Sequence, residues 1–126
     1  MPAGVSKGNP LYLDLGVVKN MARVHINGHD LGVLWTAPWK VDISRYVTAK
    51  NNVLKIEVVN LWVNRLVGDE YLPDDGIRDG QWPDWLKTGT PRTSGRYTFT
   101  TAKHYDKNSP LQSSGLLGPV TIQTSK

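Results

Sequence analysis

Residues 58–71, VVNLWVNRLVGDEY, bring together side chains that can stack or form hydrogen bonds, among them Trp62, Asn64, Arg65 and Asp69. A sugar presents apolar C–H faces and outward hydroxyls, so a sugar-binding site combines an aromatic platform with amide, guanidinium and carboxylate groups. These four residues supply those groups. The stretch begins as a strand, and alternating side chains beyond its end would project along one rim of a sheet. They form the first candidate carbohydrate-binding site.

A structural role explains the same residues without a ligand. Trp62 would then pack in the core. Arg65 and Asp69 would form a buried ion pair that anchors the following loop, because an ordered loop needs internal hydrogen bonds. The residue types alone do not choose between these two hypotheses.

Two more tryptophans, Trp82 and Trp85, lie in the segment QWPDWLKTG. Large aromatic side chains are costly to expose, so a polar loop with two of them either buries them or offers them as a stacking surface. Both interpretations stay open, and the second adds Trp82 and Trp85 to the candidate carbohydrate-binding residues.

The same region is rich in carboxylates, and a glycosidase needs two of them about 5 Å or about 6.5–9.5 Å apart. The carboxylates are Asp69, Glu70, Asp74, Asp75, Asp79 and Asp84. A long loop in a small domain gives poor support for exact catalytic geometry. The sequence therefore predicts solvated acidic side chains and a chain that is not an enzyme.

Metal binding has weak support. The segment DDGIRDG, from Asp74 to Gly80, has oxygen ligands of the kind that calcium prefers but lacks the EF-hand pattern. His25, His29 and His104 show no metal-ligand spacing. We expect no cofactor, with a structural calcium ion as the alternative.

Short strands must position these side chains. In LYLDLG, Leu11, Leu13 and Leu15 alternate with polar residues, which predicts one buried face. ARVHIN repeats the pattern with Val24 and Ile26 inward, and its terminal Asn-Gly is a strong hairpin signal. Further strands are predicted at DLGVLW, WKVDIS, VLKIEVVN, GRYTFTTAKHY and GPVTIQTS.

A long loop, Asp69 to Gly95, interrupts this series of strands, and its segment PDWL could form one helical turn. Loops of this length inside compact domains are usually functional or partly ordered. After the loop, Tyr97 and Phe99 alternate with threonines and are predicted to be core residues. About seven strands and almost no helical periodicity predict an all-β sandwich.

Composition narrows the possible functions. The chain has 126 residues, 39% hydrophobic and 21% charged, which suits one globular domain. It has no cysteine, no run of about 18 apolar residues and no signal-peptide pattern at its start, so disulfides and a membrane span are not expected. The net charge of +4 comes from scattered lysines and arginines, which favours a solvated basic surface over nucleic-acid binding.

Three long segments resemble a known family. They are LDLGVVKNMARVHINGHDLGVLWTAPWKVDIS, NVLKIEVVNLWVNRLVGDEYLPDD and SGRYTFTTAKHYDKNSPLQSSGLLGPVTI. They resemble the galactose-binding-like β-sandwich at the C-terminal end of large bacterial glycoside hydrolases. The most similar are α-L-rhamnosidases of family 106 and related family 2 sugar-binding domains. The most specific pieces are NLWVNRLVGDE, GRYTFTT and SGLLGPV.

The resemblance implies a jelly-roll fold and a non-catalytic module that binds plant cell-wall polysaccharide. The alternative is a purely structural domain that packs against the catalytic domain of a rhamnosidase-like enzyme. The resemblance places the turn after Trp35 at the sandwich rim, which adds Trp35 to the candidate sugar-binding residues. It also implies an extracytoplasmic parent enzyme, secreted or periplasmic.

The resembled family has one or two more strands before LDLG. We therefore expect residues 1–10 to be a flexible lead-in and residues 11–126 to be a single β-sandwich that lacks its first strand or two. An unpaired sheet edge next to Leu11, Leu13 and Leu15 would favour self-association.

Overall fold

The structure, a computed structural model, describes residues 9–124. The predicted lead-in of residues 1–10 thus lies mostly outside the described residues. The described chain divides into two compact units, one formed by residues 9–61 and 113–124 and the other by Trp62–Gln112. We call them the strand unit and the loop unit. The prediction of one domain over residues 11–126 is not tested by this division and stays a prediction.

Within residues 9–124, the strand unit contains eight strands, all paired antiparallel. They are β1 (Leu11–Asp14), β2 (Val17–Lys19), β3 (Met21–Ile26), β4 (His29–Leu34), β5 (Lys40–Asp42), β6 (Leu54–Val59), β7 (Gly115–Gly118) and β8 (Thr121–Thr124). The strand orders are β5-β1-β8 and β4-β3-β6 in two three-stranded sheets and β2-β7 in a two-stranded sheet. The prediction of an all-β fold is confirmed at this level.

Period-two alternation builds the core of the strand unit. Leu11 and Leu13 of β1 and Ala22, Val24 and Ile26 of β3 are buried in one cluster, to which Leu15, Val18 and Ile43 also belong. Strand residues two apart point to the same face, so each strand contributes every second side chain. The predicted hairpin at Asn27-Gly28 joins β3 to β4, with Ile26 paired to His29.

A close backbone approach closes one corner of the strand unit. Gly16 has a φ of 66° and bridges to Gly118. A Cβ at residue 16 would overlap the Gly118 carbonyl group and lie 2.7 Å from the nitrogen of Pro119. Only glycine fits this position without moving the chain.

The loop unit differs from the prediction. The helix α1 (Val63–Asp69) occupies the stretch expected to run along the rim of a sheet, and α2 (Asp84–Thr88) confirms the helical turn expected at PDWL. In the segment GRYTFTTAKHY, residues 95–105, no strand forms. The backbone N–H groups of Tyr97 and Thr98 donate to a carboxylate of Asp69 rather than to a neighbouring strand, which removes the donors that sheet pairing needs.

Candidate functional site

Helix α1 carries Asn64, Arg65 and Asp69, and each of them contacts other groups of the loop unit. The Asn64 amide group donates to the Gln112 carbonyl at 2.7 Å, and its oxygen accepts the Gln112 N–H at 2.8 Å. Arg65 and Asp69 lie one helical turn apart, with Nε 3.2 Å from Oδ1. The Arg65 guanidinium also lies 4.2 Å from the ring centre of Tyr97. These groups link α1 to two later segments of the chain.

Asp69 is the buried charge of the loop unit, with 1% of its surface exposed. Its Oδ2 accepts three hydrogen bonds, from the N–H of Tyr97 and from the N–H and hydroxyl of Thr98, at 2.6–2.8 Å. Burial alone would raise the Asp69 pKa, but the Thr98 and Tyr97 donors and the Arg65 charge outweigh it and lower that pKa. The carboxylate therefore stays ionised and holds residues 97–98 against α1.

Trp62 and Tyr97 do not occupy the core. Trp62 precedes α1 with 65% of its surface exposed, and Tyr97 is 76% exposed. The hypothesis that Trp62 packs in the core is therefore wrong, and so is the core assignment of Tyr97. Because α1 is helical, Trp62 lies on the same side as Arg65, three positions later, and both side chains face solvent.

The carboxylates that follow α1 are joined to cations. Asp75 forms a two-pronged pair with Arg92, with Nε–Oδ2 at 2.8 Å and Nη2–Oδ1 at 2.6 Å, and accepts the Ser94 hydroxyl. This arrangement, led by the Arg92 hydrogen bonds, lowers the Asp75 pKa to about 2. Asp75 is thus a fixed anion within a structural network and is a poor general acid.

Glu70 and Asp74 share a similar environment. Glu70 Oε1 lies 2.7 Å from Arg96 Nη1, and Lys103 Nζ lies 3.0 Å from Asp74 Oδ2. Hydrogen bonds from the Gly76 N–H and Lys103 lower the Asp74 pKa. A cleft of about 90 Å³ adjoins these residues, far smaller than the ~300–1,000 Å³ of ordinary ligand pockets. The network stabilises the loop and leaves little room for a ligand.

Trp82, Trp85 and Phe99 form an aromatic stack on the other side of Asp75. The ring centres of Trp82 and Phe99 lie 5.9 Å apart at 34°, and Trp85 meets Phe99 edge-on at 5.5 Å. Trp85 is half-buried and donates its ring N–H to the Asp75 carbonyl at 2.8 Å. Trp82 is 47% exposed. One tryptophan therefore anchors the stack while the other presents part of its ring to solvent.

A tight turn precedes Trp82. Arg78 and Gln81 exchange backbone hydrogen bonds, and the two central residues have positive φ, 49° at Asp79 and 73° at Gly80. This is a type I′ geometry, which Asp-Gly favours because glycine adopts positive φ freely. Residues opposite each other across such a bridge project to the same side, so the Arg78 and Gln81 side chains share one face.

The turn, Trp82 and α2 enclose a shallow, open depression of about 400 Å³. Ten residues line it: Asp74, Asp75, Gly76, Arg78, Gln81, Trp82, Pro83, Asp84, Trp85 and Lys87. We call it the Trp82 depression. It combines an exposed aromatic ring with an amide, a guanidinium, an ammonium and a carboxylate group, the set that a sugar needs.

The predicted site residues therefore do not come together in one site. Trp82 and Trp85 meet at Phe99, whereas Asn64, Arg65 and Asp69 bind other parts of the loop unit. Trp35 belongs to the strand unit, after the end of β4, and is 72% exposed. Sequence reasoning missed four lining residues of the depression, Arg78, Gln81, Asp84 and Lys87. The Asp79-Gly80 dipeptide is a type I′ turn signal that could have indicated the first two.

The described residues contain no cluster of three or more possible metal ligands. Among residues 9–124, no group of three or more His, Cys, Asp or Glu side chains is placed to hold an ion. Both oxygens of Asp75 contact Arg92, and both oxygens of Asp74 accept hydrogen bonds, from Gly76 and Lys103. Calcium binding in the segment from Asp74 to Gly80 remains an untested prediction. Neither helix in this described part has the length and apolar character needed to cross a membrane.

Comparison with known proteins shows which proteins the chain is similar to. No family model matches the chain. A Formosa agariphila protein, provisionally named a beta-glucuronidase, is 48% identical over 122 residues, which cover 94% of this chain and 10% of that protein. A solved rhamnosidase structure from Novosphingobium sp. PP1Y is 36% identical, with a TM-score of 0.65, over 93% of this chain and 9% of that one.

The chain thus spans about a tenth of the length of the relatives it matches. Both are named as glycoside hydrolases, and the similarity extends over nearly all of this chain. The chain is similar to a small part of large glycoside hydrolases, which is consistent with an ancillary domain and agrees with the family resemblance at this coarser level.

Proposed function

We propose that the chain is a non-catalytic carbohydrate-binding module of a large extracytoplasmic glycoside hydrolase of α-L-rhamnosidase type, and that it binds plant cell-wall polysaccharide. One observation carries this proposal: Trp82 exposes part of its ring in the Trp82 depression while Phe99 supports it from behind. A supported ring keeps its position and loses little conformational freedom when a sugar stacks on it.

The polar groups around Trp82 would fix the orientation of the sugar. Gln81 offers a donor and an acceptor, Asp84 an acceptor, and Arg78 and Lys87 donors, all toward one open depression. Because the depression is shallow, it would bury only part of a sugar ring, and we expect weak binding to single sugars. A polysaccharide that engages several rings in succession would bind better.

The proposed fold of this module is a galactose-binding-like jelly roll, supported by the all-β strand unit and by the similarity to the rhamnosidase structure. We propose no cofactor requirement. The carboxylates nearest the Trp82 depression already have cationic partners.

Affinity gels with a panel of cell-wall polysaccharides test the binding function. We expect Trp82→Ala to abolish retention while leaving a folded chain. Trp62→Ala and Trp35→Ala are matched controls, since each removes an exposed tryptophan outside the depression. Retention lost at a control instead of at Trp82 would move the site away from the depression. A parent chain that no gel retains would refute carbohydrate binding.

Trp85→Ala separates binding from folding in the same experiment. This side chain is half-buried, bonded to the Asp75 carbonyl and covered by Arg92, whose guanidinium lies 4.6 Å from its ring centre. Truncation should destabilise the loop unit by roughly 3 kcal/mol. A large drop in the melting temperature for Trp85→Ala with a small one for Trp82→Ala is the expected pattern.

A second candidate function, a purely structural domain, has its own supporting observation. The strand unit exposes many large apolar side chains; those more than two-fifths exposed include Val17, Val33, Val53, Leu54, Val59, Leu61, Leu117, Val120 and Ile122. Met21 and Val59 lie directly opposite each other on neighbouring strands, so some of this surface is continuous. Such surface suits packing against the catalytic domain of the parent enzyme. It would also serve self-association of the isolated chain.

A further inference from the structure

We infer that the Trp82 depression is selective for acidic sugars, those that carry a carboxylate or a sulfate ester, and that Arg78 is the residue that pairs with the anion. This inference rests on the proposed function, because it names the class of sugar for that same site. It is drawn from which charged groups around the depression have an ion-pair partner and which do not.

The other charged groups around the depression have partners of opposite sign. Asp75 is paired with Arg92, and Asp74 with Lys103. Lys87 Nζ lies 3.7 Å from Asp84 Oδ1, both at the surface. Each of these carboxylates therefore already has a cation beside it.

Arg78 is different. Among residues 9–124, no carboxylate forms an ion pair with it, and its one side-chain hydrogen bond is from Nη2 to the Asp74 carbonyl. Asp79, its neighbour at the tip of the turn, neither pairs with it nor lines the depression. An arginine has five N–H donors, so most of those of Arg78 remain available. Arg78 is therefore the cation in the lining of the depression that has no carboxylate partner.

The geometry suits an anionic ring. The Arg78–Gln81 bridge fixes the backbone at both ends of the turn, and the hydrogen bond to the Asp74 carbonyl holds the guanidinium. A planar guanidinium binds a carboxylate or sulfate through two parallel hydrogen bonds. In a sugar stacked on Trp82, an anionic substituent at the edge of the sugar ring would lie on the side of Arg78 and Gln81.

Affinity gels with two matched pairs of polysaccharides test this inference. One pair is polygalacturonate and its methyl-esterified form, and the other is dextran sulfate and dextran. We expect the parent chain to be held at least about tenfold more tightly by an anionic member than by its neutral counterpart. Preference in the first pair identifies a carboxylate as the ligand, and preference in the second a sulfate ester.

Variants that each remove one positive charge distinguish binding at Arg78 from a general attraction of anionic polysaccharides to a basic protein. Arg78→Gln should lose most of the anionic preference, measured as the ratio of retention on an anionic gel to retention on its neutral counterpart. Lys107→Gln removes one positive charge from the same unit outside the depression and should change little. Arg78→Lys keeps the charge but loses the two-pronged geometry, so it should restore the preference only in part. Thermal melts confirm that each variant is folded.

The outcomes separate this inference from the proposed function. Equal losses for Arg78→Gln and Lys107→Gln, or no preference for the anionic members, would overturn the acidic-sugar inference. If Trp82-dependent retention on neutral gels persisted in that case, carbohydrate binding would stand without it. Retention on no gel at all would overturn both.

Discussion

Asp69 illustrates how a single buried side chain organises the loop unit. One of its oxygens binds the backbone and hydroxyl of residues 97–98, which lie 28 and 29 positions away, and the other faces Arg65. A buried carboxylate with this many donors is tolerated because both of its oxygens have partners. Loss of its charge should therefore loosen two segments at once.

We predict that Asp69→Asn lowers the free energy of unfolding by about 3 kcal/mol, because the amide cannot accept all the donors and leaves Arg65 without its anion. Asp84→Asn is the control, since its side chain is almost fully exposed and its ion pair with Lys87 is long. Urea unfolding of both variants measures the difference. Equal stability of the two variants would contradict the anchoring role of Asp69.

Low pH should lower the stability of the loop unit, because Asp75 becomes protonated. Its pKa is lowered from 3.8 to about 2 by Arg92, so the folded state binds its proton less readily than the unfolded state does. The contribution, about 2 kcal/mol, is complete above the unfolded pKa near 3.8 and is lost as the pH falls through about 2. Asp69 and Asp74, whose pKa values are also lowered, act in the same direction.

Unfolding measured from about pH 7 down to about pH 2 tests this prediction. We expect constant stability to about pH 4 and a decline below it. The decline should be shallower in Asp75→Asn, which has no proton to bind at this position. An identical acid profile for parent and variant would show that the Asp75–Arg92 pair does not contribute.

At the scale of elements, Gly16 and Gly118 join β1 and β2 to β7 through a contact between backbones. We predict that Gly16→Ala costs roughly 3 kcal/mol or more, because it combines a left-handed φ with overlap against the Gly118 carbonyl group. Gly28→Ala is the matched control: its φ is 82°, but a Cβ there meets nothing within 4 Å. It should cost only about 1 kcal/mol.

Thermal melts of the two glycine variants separate strain from overlap. A much larger loss for Gly16→Ala supports the close approach as a fixed feature of the strand unit. Similar losses for both variants would mean that the chain relaxes around the new methyl group.

Residues 62–69 form the helix α1 instead of continuing a strand, and this changes which of their side chains share a face. On a strand, Trp62 and Asn64 would share one face, whereas on a helix Trp62 and Arg65 do. The helical arrangement turns Asn64 and Asp69 toward other parts of the loop unit and leaves Trp62 in solvent. The candidate sugar platform consequently shifts from this element to the turn and α2.

At the scale of the whole molecule, we predict no hydrolysis of aryl glycosides or polysaccharides by the chain. Of the carboxylates near the clefts, Asp69, Glu70, Asp74 and Asp75 are each paired with a cation. The pKa values of the three aspartates are lowered, which disfavours a general acid. Reducing-sugar release from a broad substrate panel measures this. Turnover that disappears in Asp69→Asn, with the fold preserved, would overturn the non-catalytic proposal.

The sequence by itself determined the strand unit. Alternating apolar residues predicted β1, β3 and β6, and Asn27-Gly28 predicted the hairpin, because strand periodicity and turn chemistry are properties of a few consecutive residues. It also indicated one helical turn at PDWL, for the same local reason.

Only the tertiary structure decided the loop unit. The partners of Asp75 and Asp69 lie 17 to 29 positions away, at Arg92, Ser94, Tyr97 and Thr98. No local pattern encodes which cation meets which carboxylate, so the expected strand at residues 95–105 and the core position of Trp62 were wrong. Arg78 was missed for the same reason. Its lack of a carboxylate partner becomes visible only when the partners of the other charged residues that line the depression are known. Long-range hydrogen bonds and ion pairs, not local propensity, fixed the backbone of this unit and left Arg78 without an anion.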